Sequence, residues 1–364
     1  MMKIHWKTEM LWKTGLLCAA LLMLLSTGLA ETFLATSDLH LTADVDAHAA
    51  ALEALRTAAE DVDAVLLLGD NTNNAHDEEH AQVLEYLASL SVPAYVLPGN
   101  HDLTLDIADF IALYGDYGWN QAFSRDGATA SCAVLTESGA CLLLLDTNAM
   151  PGYVAPLGGI AQSTCDWVAE TLASLPEGTP VVACGHHPIL PAERDMRTPG
   201  ARALAEALRG VGLYLCGHDH GFAAVEADGL QQITVGRPQD YPGWAGLLEV
   251  GEEGLHWQVL PLYDGETRRA MRDGAAALAE GMARGTLLGT AHEGDAAAIR
   301  WFREAFEGVM TSQLTPEMCA RLLNDPAAQK WREIETKTVV KKWIFGMLES
   351  GQQDVRKIDI VSKP

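Results

Sequence analysis

Basic residues are scarce in this chain. Its 364 residues include 25 Lys and Arg against 49 Asp and Glu, so the formal net charge at pH 7 is −24. A surface with this charge repels nucleic-acid polymers and anionic lipid. We therefore expect no binding of nucleic-acid polymers. An anionic small-molecule substrate would need a local reversal of the field, and bound cations are the usual means.

Cysteine is scarce too, and widely spaced. Six of the seven cysteines follow Ala30, without the close spacing of a disulfide scaffold or the CxxC pair of a zinc site. Cys184 and Cys216 lie in apolar runs, where a free cysteine behaves as a small hydrophobic residue. Cys132 and Cys141 flank a turn signal, and they are the candidates for a disulfide across a hairpin.

No apolar run has the length that is typical of a membrane span. Gly15 to Leu25 is nearly all apolar but short. It follows three lysines and precedes Gly28-Leu29-Ala30, which has the small-residue spacing of a cleavage site. Residues 1–30 are predicted to be an export signal, with an uncleaved anchor as the alternative and membrane contact only in that case. Either way the lysine bias predicts an exported protein, extracellular or at the cell surface.

The remaining chain divides by composition, with no internal repeats. From residue 31 apolar strands alternate with helical segments, which predicts βαβ units and a parallel sheet. After Asp126, a hairpin and short strands with Gly-containing turns predict antiparallel pairing. Residues 31–262 are therefore predicted to form one α/β domain with two mixed sheets and helices outside. Residues 263–364, rich in Ala, Glu, Arg and Met, are predicted to form a helical module with a buried stripe that includes Trp301, Phe302 and Phe306.

Five apolar runs end in side chains that bind metals. These strand ends are Ser37-Asp38-Leu39-His40, Gly69-Asp70-Asn71, Gly99-Asn100-His101-Asp102, Gly185-His186-His187-Pro188 and Gly217-His218-Asp219-His220. Each segment alone is a weak signal, but six of the twelve histidines fall at these ends. The carboxyl ends of strands are where ligands bind in open α/β sheets. The five segments together predict a single site.

Seven of these side chains are predicted to bind two metal ions. Residues i and i+2 of an extended segment point the same way, so Asp38 pairs with His40 and His218 with His220. One ion is assigned to Asp38, His40, Asp70 and His220. The other is assigned to Asp70, Asn100, His186 and His218, with Asp70 as the bridge. Carboxylate, imidazole and amide ligands without thiolate suit Mn, Fe or Zn.

Two ions about 3.5–4 Å apart form the clamp used in phosphoryl chemistry, and a metal lowers the pKa of bound water to about 7. The predicted reaction is attack of a bridging hydroxide on phosphorus. His101 is predicted to donate a proton to the leaving oxygen. Asp102 is assigned either to orient His101 or to cap the following helix.

The five blocks together resemble the calcineurin-like metallophosphoesterases. The resemblance covers about residues 32–262, and it implies a four-layer α/β/β/α sandwich with a dinuclear centre whose ligands match those above. Further segments, including Gly115-Asp116-Tyr117-Gly118-Trp119 and Ser124-Arg125-Asp126, are similar to the class III, cyclic-nucleotide-phosphodiesterase-like branch. Some exported bacterial members of that branch also have a helical C-terminal module.

Several residues leave alternatives open. Asn71 stands where the family more often has Leu or Ile, and its amide either reaches the site or caps a turn. Arg194 and Arg197 either contact a phosphate or belong to an exposed loop. Three aromatic residues either stack on a base or pack in the core. They are Trp119, Tyr241 and Trp244.

We therefore predict an exported hydrolase of a small, cyclic-nucleotide-like phosphodiester. The alternatives are a phosphomonoesterase of broad specificity on the same centre, and a non-catalytic interaction module that keeps only the fold. The interaction module is disfavoured because all seven predicted ligands and His101 are present. No oligomeric state is predicted.

Overall fold

The computed structural model describes residues 30–102, 107–149, 157–190, 198–311, 314–335, 339–349 and 354–360. The thirteen strands of these residues are β1 Glu31–Thr36, β2 Ala64–Leu67, β3 Ala94–Val96, β4 Ser124–Arg125, β5 Cys132–Leu135, β6 Cys141–Leu145, β7 Val181–Gly185, β8 Leu213–Cys216, β9 Ala223–Ala227, β10 Leu230–Thr234, β11 Trp244–Gly251, β12 Gly254–Pro261 and β13 Lys357–Ile360. The α-helices are α1 Val45–Ala58, α2 Asp77–Ser89, α3 Ile107–Tyr114, α4 Gln162–Ser174, α5 Ala201–Ala207, α6 Gly265–Leu287, α7 Ala296–Thr311, α8 Pro316–Asn324, α9 Pro326–Glu333 and α10 Val339–Glu349.

The strands form two mixed sheets. The first has the order β13-β12-β11-β1-β2-β3, and the second has the order β4-β5-β6-β7-β8-β10-β9. Strands β1, β2 and β3 pair in parallel, as do β6, β7, β8 and β10. The other neighbours pair antiparallel. The predicted combination of parallel and antiparallel pairing is confirmed.

Alternating side chains of the strands build the four layers. In β1, Phe33 and Ala35 face the second sheet, whereas Leu34 packs against α1, α2 and α3. In β6, Leu142 and Leu144 face the first sheet, whereas Leu143 packs toward α4 and α5. A period of two is what a strand buried on both faces requires. The predicted α/β/β/α sandwich is confirmed.

The C-terminal helices have an apolar core of their own. The predicted stripe on α7 is buried, and Trp301 and Phe302 pack against Trp331 with ring centroids 6.2 and 4.7 Å apart. Asp264 is the N-cap of helix α6, and its carboxylate accepts hydrogen bonds from the backbone N–H groups of Glu266 and Thr267. Such N-caps satisfy donors that the first turn leaves unpaired.

The end of the chain differs from the all-helical character expected for residues 263–364. Strand β13 pairs antiparallel with β12 at the edge of the first sheet, with Ile358 opposite Trp257. The indole N–H of Trp257 donates to the Val355 carbonyl at 2.9 Å, and Val355 is fully buried. The segment after the helices therefore completes the sandwich.

The candidate disulfide between Cys132 and Cys141 is not formed. Cys132 lies opposite Leu144 and Cys141 opposite Leu135, so the hairpin register separates the two thiols. The six cysteines from Cys132 onward are free and buried.

Among the described residues, no helix is long and apolar enough to cross a membrane. The predicted export signal lies outside those residues, as do Arg194 and Arg197.

Candidate metal centre

The five predicted segments meet at one edge of the sandwich. They follow β1, β2 and β3 of the first sheet and β7 and β8 of the second. Backbone hydrogen bonds continue beyond the strands and tie the loops together. The Asp38 N–H donates to the Gly69 carbonyl at 3.0 Å, and the Gly217 N–H donates to the His186 carbonyl at 2.9 Å.

Two glycines are required by this close approach. A Cβ on Gly99 would overlap the Asp70 carboxylate, and a Cβ on Gly217 would overlap the Ser37 hydroxyl. Both glycines immediately precede predicted ligands. They allow the backbone of one loop to lie against the side chain of another.

Most of the predicted ligands have a left-handed backbone conformation. Their φ angles lie between 44° and 72°, and they are Asp38, His40, Asp70, His218 and His220. The extended geometry used to predict that residues i and i+2 point the same way is therefore wrong here, although the side chains do converge. Non-glycine residues in this region cost about 1–3 kcal/mol each and cluster at functional sites.

The first group of ligands is close to the arrangement predicted for one ion. The Nε2 atoms of His40 and His220 are 3.1 Å apart, and they lie 3.8 and 3.6 Å from Oδ1 of Asp38. Metal–nitrogen distances are about 2.0–2.1 Å, so two nitrogens about 3 Å apart fit one ion at nearly a right angle. Burial lowers the pKa of His40 to about 3 and that of His220 to about 4, which favours the neutral imidazole that binds metals.

The second group surrounds His186. Its Nδ1 lies 2.9 Å from the Leu68 carbonyl, and its Nε2 lies 3.2 Å from Oδ2 of Asp70. That Nε2 atom is buried, and the Asp70 carboxylate is the acidic group that it faces. Nearby, Nδ1 of His218 lies 3.1 Å from Oδ1 of Asn100. An Nδ1 held by a carbonyl with Nε2 directed at a carboxylate is typical of a metal-binding histidine.

Asp70 lies between the two groups. Its Oδ2 is 3.5 Å from Nε2 of His40 in the first group and 3.2 Å from Nε2 of His186 in the second. The other carboxylate oxygen accepts the His101 backbone N–H at 2.7 Å. The Asp70 carboxylate thus lies within 3.5 Å of a histidine of each group.

The buried carboxylates of this cluster also point to a cation. Asp38 is fully buried, and this burial, together with Asp70, raises the pKa of its carboxyl to about 7. Two acidic groups brought together without solvent favour a bound positive charge. The residues thus fit a metal centre. The buried His186 nitrogen, the facing imidazoles of His40 and His220, and the carboxylate and imidazole ligand types all support this fit.

His101 lies at the mouth of the cluster. Its ring centroid is 4.6 Å from that of His40, and it remains partly exposed. Its Nδ1 lies 2.6 Å from the carbonyl oxygen of Asn73. Because that carbonyl only accepts hydrogen bonds, Nδ1 carries the proton and Nε2 is the atom that exchanges one.

The predicted orientation of His101 by Asp102 is wrong. The carboxylate of Asp102 accepts the backbone N–H groups of Gly99, Asn71 and Thr72 at 2.9, 3.2 and 2.8 Å. The Asp102 carboxylate points into the turn below the site. The Asn73 carbonyl therefore orients His101, which is the role predicted for Asp102. The helix-cap alternative concerns residues 103–106, which lie outside the described part of the chain.

Asn71 does not reach the cluster. Its side-chain amide donates to the Leu97 carbonyl at 3.3 Å and to Asp102 at 3.1 Å. Of the three aromatic residues with open alternatives, Trp119 and Trp244 pack in or against the core between the sheets. Tyr241 lines a surface recess instead.

Two features of the site were not predicted. His187 is fully buried, and its ring centroid lies 4.4 Å from that of His218. One nitrogen atom of each of His186, His187 and His218 lies within 4.8 Å of the others. Arg237 donates to the Asp38 carbonyl at 3.1 Å. The adjacent histidines after β7 were a usable signal for His187, whereas nothing in the local sequence marks Arg237.

The four layers and the carboxylate–imidazole cluster define a protein of the metallophosphoesterase class. The family model for calcineurin-like phosphoesterases matches residues 31–222, which is 192 of the 364 residues. The chain belongs to this family. The predicted resemblance is confirmed.

Curated relatives match the same region. The chain is 27% identical over 181 residues to the 3′,5′-cyclic adenosine monophosphate phosphodiesterase CpdA of Haemophilus influenzae, covering 47% of this chain and 60% of that protein. It is 29% identical over 187 residues to the tartrate-resistant acid phosphatase type 5 of Rattus norvegicus, covering 43% of this chain and 55% of that protein. The chain therefore spans little more than half the length of these relatives.

A comparison with solved structures also found a dimetal phosphatase from Danio rerio. It is 16% identical, with a TM-score of 0.48, and the superposition covers 64% of this chain and 97% of that one.

Proposed function

We propose that this protein hydrolyses a small phosphodiester at a centre of two metal ions. The observation that carries the proposal is the position of Asp70, whose carboxylate approaches His40 in one ligand group and His186 in the other. Asp38, His40, Asp70 and His220 would hold one ion. Asp70, Asn100, His186 and His218 would hold the other, with Mn, Fe or Zn as the candidates.

The ions, when bound, supply Lewis acidity toward the phosphate and lower the pKa of the attacking water. The chain's own residues do the rest. His101, with Nδ1–H fixed on the Asn73 carbonyl, presents Nε2 at the mouth of the cluster and donates a proton to the leaving oxygen. The Asp102 hydrogen bonds hold the loops that carry Asp70 and His101 in this arrangement.

A phosphodiester is preferred as the substrate because the cyclic adenosine monophosphate phosphodiesterase of Haemophilus influenzae matches this chain. The class III resemblance of the sequence favours the same choice. The second candidate is a phosphomonoester, since the rat acid phosphatase also matches. We further propose that residues 1–30 export the protein. N-terminal sequencing of the protein recovered from the medium or from the membrane fraction tests this.

The experiment is a substrate panel on the purified full-length protein. Bound metal is counted by mass spectrometry, and hydrolysis is measured with 3′,5′-cyclic AMP, bis(p-nitrophenyl) phosphate and p-nitrophenyl phosphate. We expect about two ions per chain and a higher kcat/KM for a diester than for the monoester. Faster monoester hydrolysis would favour the second candidate. No turnover after loading with Mn, Fe and Zn in turn would overturn the enzyme proposal.

A further inference from the structure

A recess of about 340 Å³ lies between α6, α7 and the loop after β10. This volume is at the lower end of the range for small-molecule sites. Phe306, Met310, Ala275 and Ala276 form apolar parts of its wall. Its polar lining residues are Tyr241, Arg272, Arg300, Arg303, Glu304 and Glu307.

Arginine is concentrated here in a chain whose net charge is −24. Arg300 has no ion-pair partner in the part of the chain that the structure describes. Arg303 lies 3.3 Å from Glu280, and Arg272 lies 3.6 Å from the exposed Asp273. Exposed pairs of this kind are weak, so both guanidinium groups remain available to a stronger anion.

The two glutamates of the recess offset part of this positive charge. Glu304 forms an ion pair with Arg321 from α8, outside the recess. Glu307 is the other carboxylate of the recess, and its negative charge contributes to the raised pKa of Tyr241. Three arginines and two glutamates therefore line the recess, which leaves one net positive charge there in a chain whose net charge is −24.

Arg268 lies on α6 beside the recess and is not one of its lining residues. It precedes Arg272 by one helical turn on α6, which places the two side chains on the same face. Its Nε atom is buried and has no hydrogen-bond partner within the described ranges. Burial and Glu307 raise the pKa of Tyr241, and Arg272 and Arg268 oppose that rise. The Tyr241 hydroxyl is a further hydrogen-bond donor in the recess lining.

Two wall residues of the recess are linked to the loops of the candidate metal centre. A Cβ on Gly221, which follows the ligand His220, would lie 3.8 Å from the Met310 sulfur in the recess wall. The loop that carries Tyr241 also carries Arg237, which donates to the Asp38 carbonyl. The helical segment therefore contacts the metal-ligand loops.

We propose that this recess is a specificity subsite that binds a second phosphate of the substrate. The inference rests on the proposed function, since it concerns a substrate hydrolysed at the neighbouring cluster. Arginine binds phosphate through paired N–H donors, and the apolar wall suits the organic group between the two phosphates. The substrate class is then an organic phosphodiester that carries a further phosphate, such as a phosphorylated nucleotide ester.

The test compares two chromogenic diesters that differ by one phosphate. They are thymidine 5′-(p-nitrophenyl phosphate) and the same compound with a 3′-phosphate. The full-length protein is compared with the double variant Arg272→Gln/Arg300→Gln. The control is Arg269→Gln, which removes one positive charge, against two in the double variant, from an exposed position on α6 outside the recess.

The wild-type protein should prefer the 3′-phosphorylated ester by at least about tenfold in kcat/KM. That ratio corresponds to about 1.4 kcal/mol. The double variant should lose the preference while keeping its kcat/KM for the simpler ester within about twofold, and Arg269→Gln should keep both. Equal kcat/KM for the two esters in the wild-type protein, or an equal loss in the control, would overturn the subsite.

Calorimetric binding of thymidine 3′,5′-bisphosphate separates this inference from the proposed function. We expect binding to the wild-type protein and the control, with about tenfold or greater weakening in the double variant. Such binding without turnover of either ester would overturn the proposed function and support the anion site. Equal affinity in the wild-type protein and the double variant would overturn the anion site.

Discussion

The Nε2 atoms of His40 and His220 lie 3.1 Å apart, although 180 residues separate them in the chain. Burial keeps both imidazoles neutral, so no charge repulsion opposes the contact. Two neutral ring nitrogens that face each other beside Asp38 are better satisfied by a shared cation than by each other. The contact joins the loop after β1 of the first sheet to the loop after β8 of the second.

Asp70→Asn should remove metal from both groups. The Asp70 carboxylate approaches His40 and His186 at once, and an amide in its place loses the negative charge and one acceptor oxygen. We expect the metal content of the purified protein to fall from about two ions per chain to below one. Mass spectrometry measures this content. Asp166→Asn, at an exposed position on α4, is the control and should keep both ions. Full metal occupancy in Asp70→Asn would contradict the bridging role.

His101→Ala should keep the metal and lose the rate. The ring contacts the Asn73 carbonyl and lies at the mouth of the cluster, outside the seven predicted ligands. Removal of a general acid typically costs about 10²–10⁴ in kcat. Metal content and diester hydrolysis are measured on the same sample. His76→Ala, an exposed histidine before α2, serves as the control. Loss of metal from His101→Ala would show instead that His101 is a ligand, since its nitrogen lies near His40 and Asp70.

Much of the site could be predicted because it depends on strand order and residue type. A parallel strand that ends in Asp, Asn or His delivers that side chain to the carboxyl edge of its sheet. The structure brings the five segments together there, including Asp38 and His220 from opposite ends of the domain.

The details that were missed depend on contacts between loops. The left-handed conformations of Asp38 and Asp70 are set by hydrogen bonds between neighbouring segments, such as His40 N–H to the Asp70 carbonyl at 2.9 Å. The Asn73 carbonyl that holds His101 is a backbone atom, so no residue type marks it. Strand β13 has only four residues, and its partner β12 precedes it by about a hundred.

Asp102→Asn should destabilise the turn below the site. The carboxylate is fully buried and accepts three backbone N–H groups, and an amide would direct its own N–H donors at one or more of them. An unsatisfied buried donor costs about 1–3 kcal/mol. We expect the free energy of unfolding in urea to fall by about 2 kcal/mol.

The pH dependence of the residual kcat should stay that of the wild-type protein, because Asp102 does not contact the His101 ring. Asp109→Asn, exposed on α3, is the control. A shifted pH profile with unchanged stability would restore the predicted orienting role.

Truncation before Asp354 should destabilise the first sheet. It removes β13 from the edge of β12, together with the buried Val355 and the carbonyl that accepts the Trp257 indole N–H. Burial of a valine side chain alone is worth about 1.5–3 kcal/mol. We therefore expect a lower midpoint of thermal unfolding and a change in tryptophan fluorescence as the Trp257 environment opens. Removal of residues 361–364 alone leaves β13 intact and is the matched control.

The point variant Val355→Ala should lower the free energy of unfolding by about 2 kcal/mol without removing the strand. If the truncated protein and the control unfold at the same temperature, the strand adds nothing to the stability of the sandwich, and its pairing with β12 is incidental.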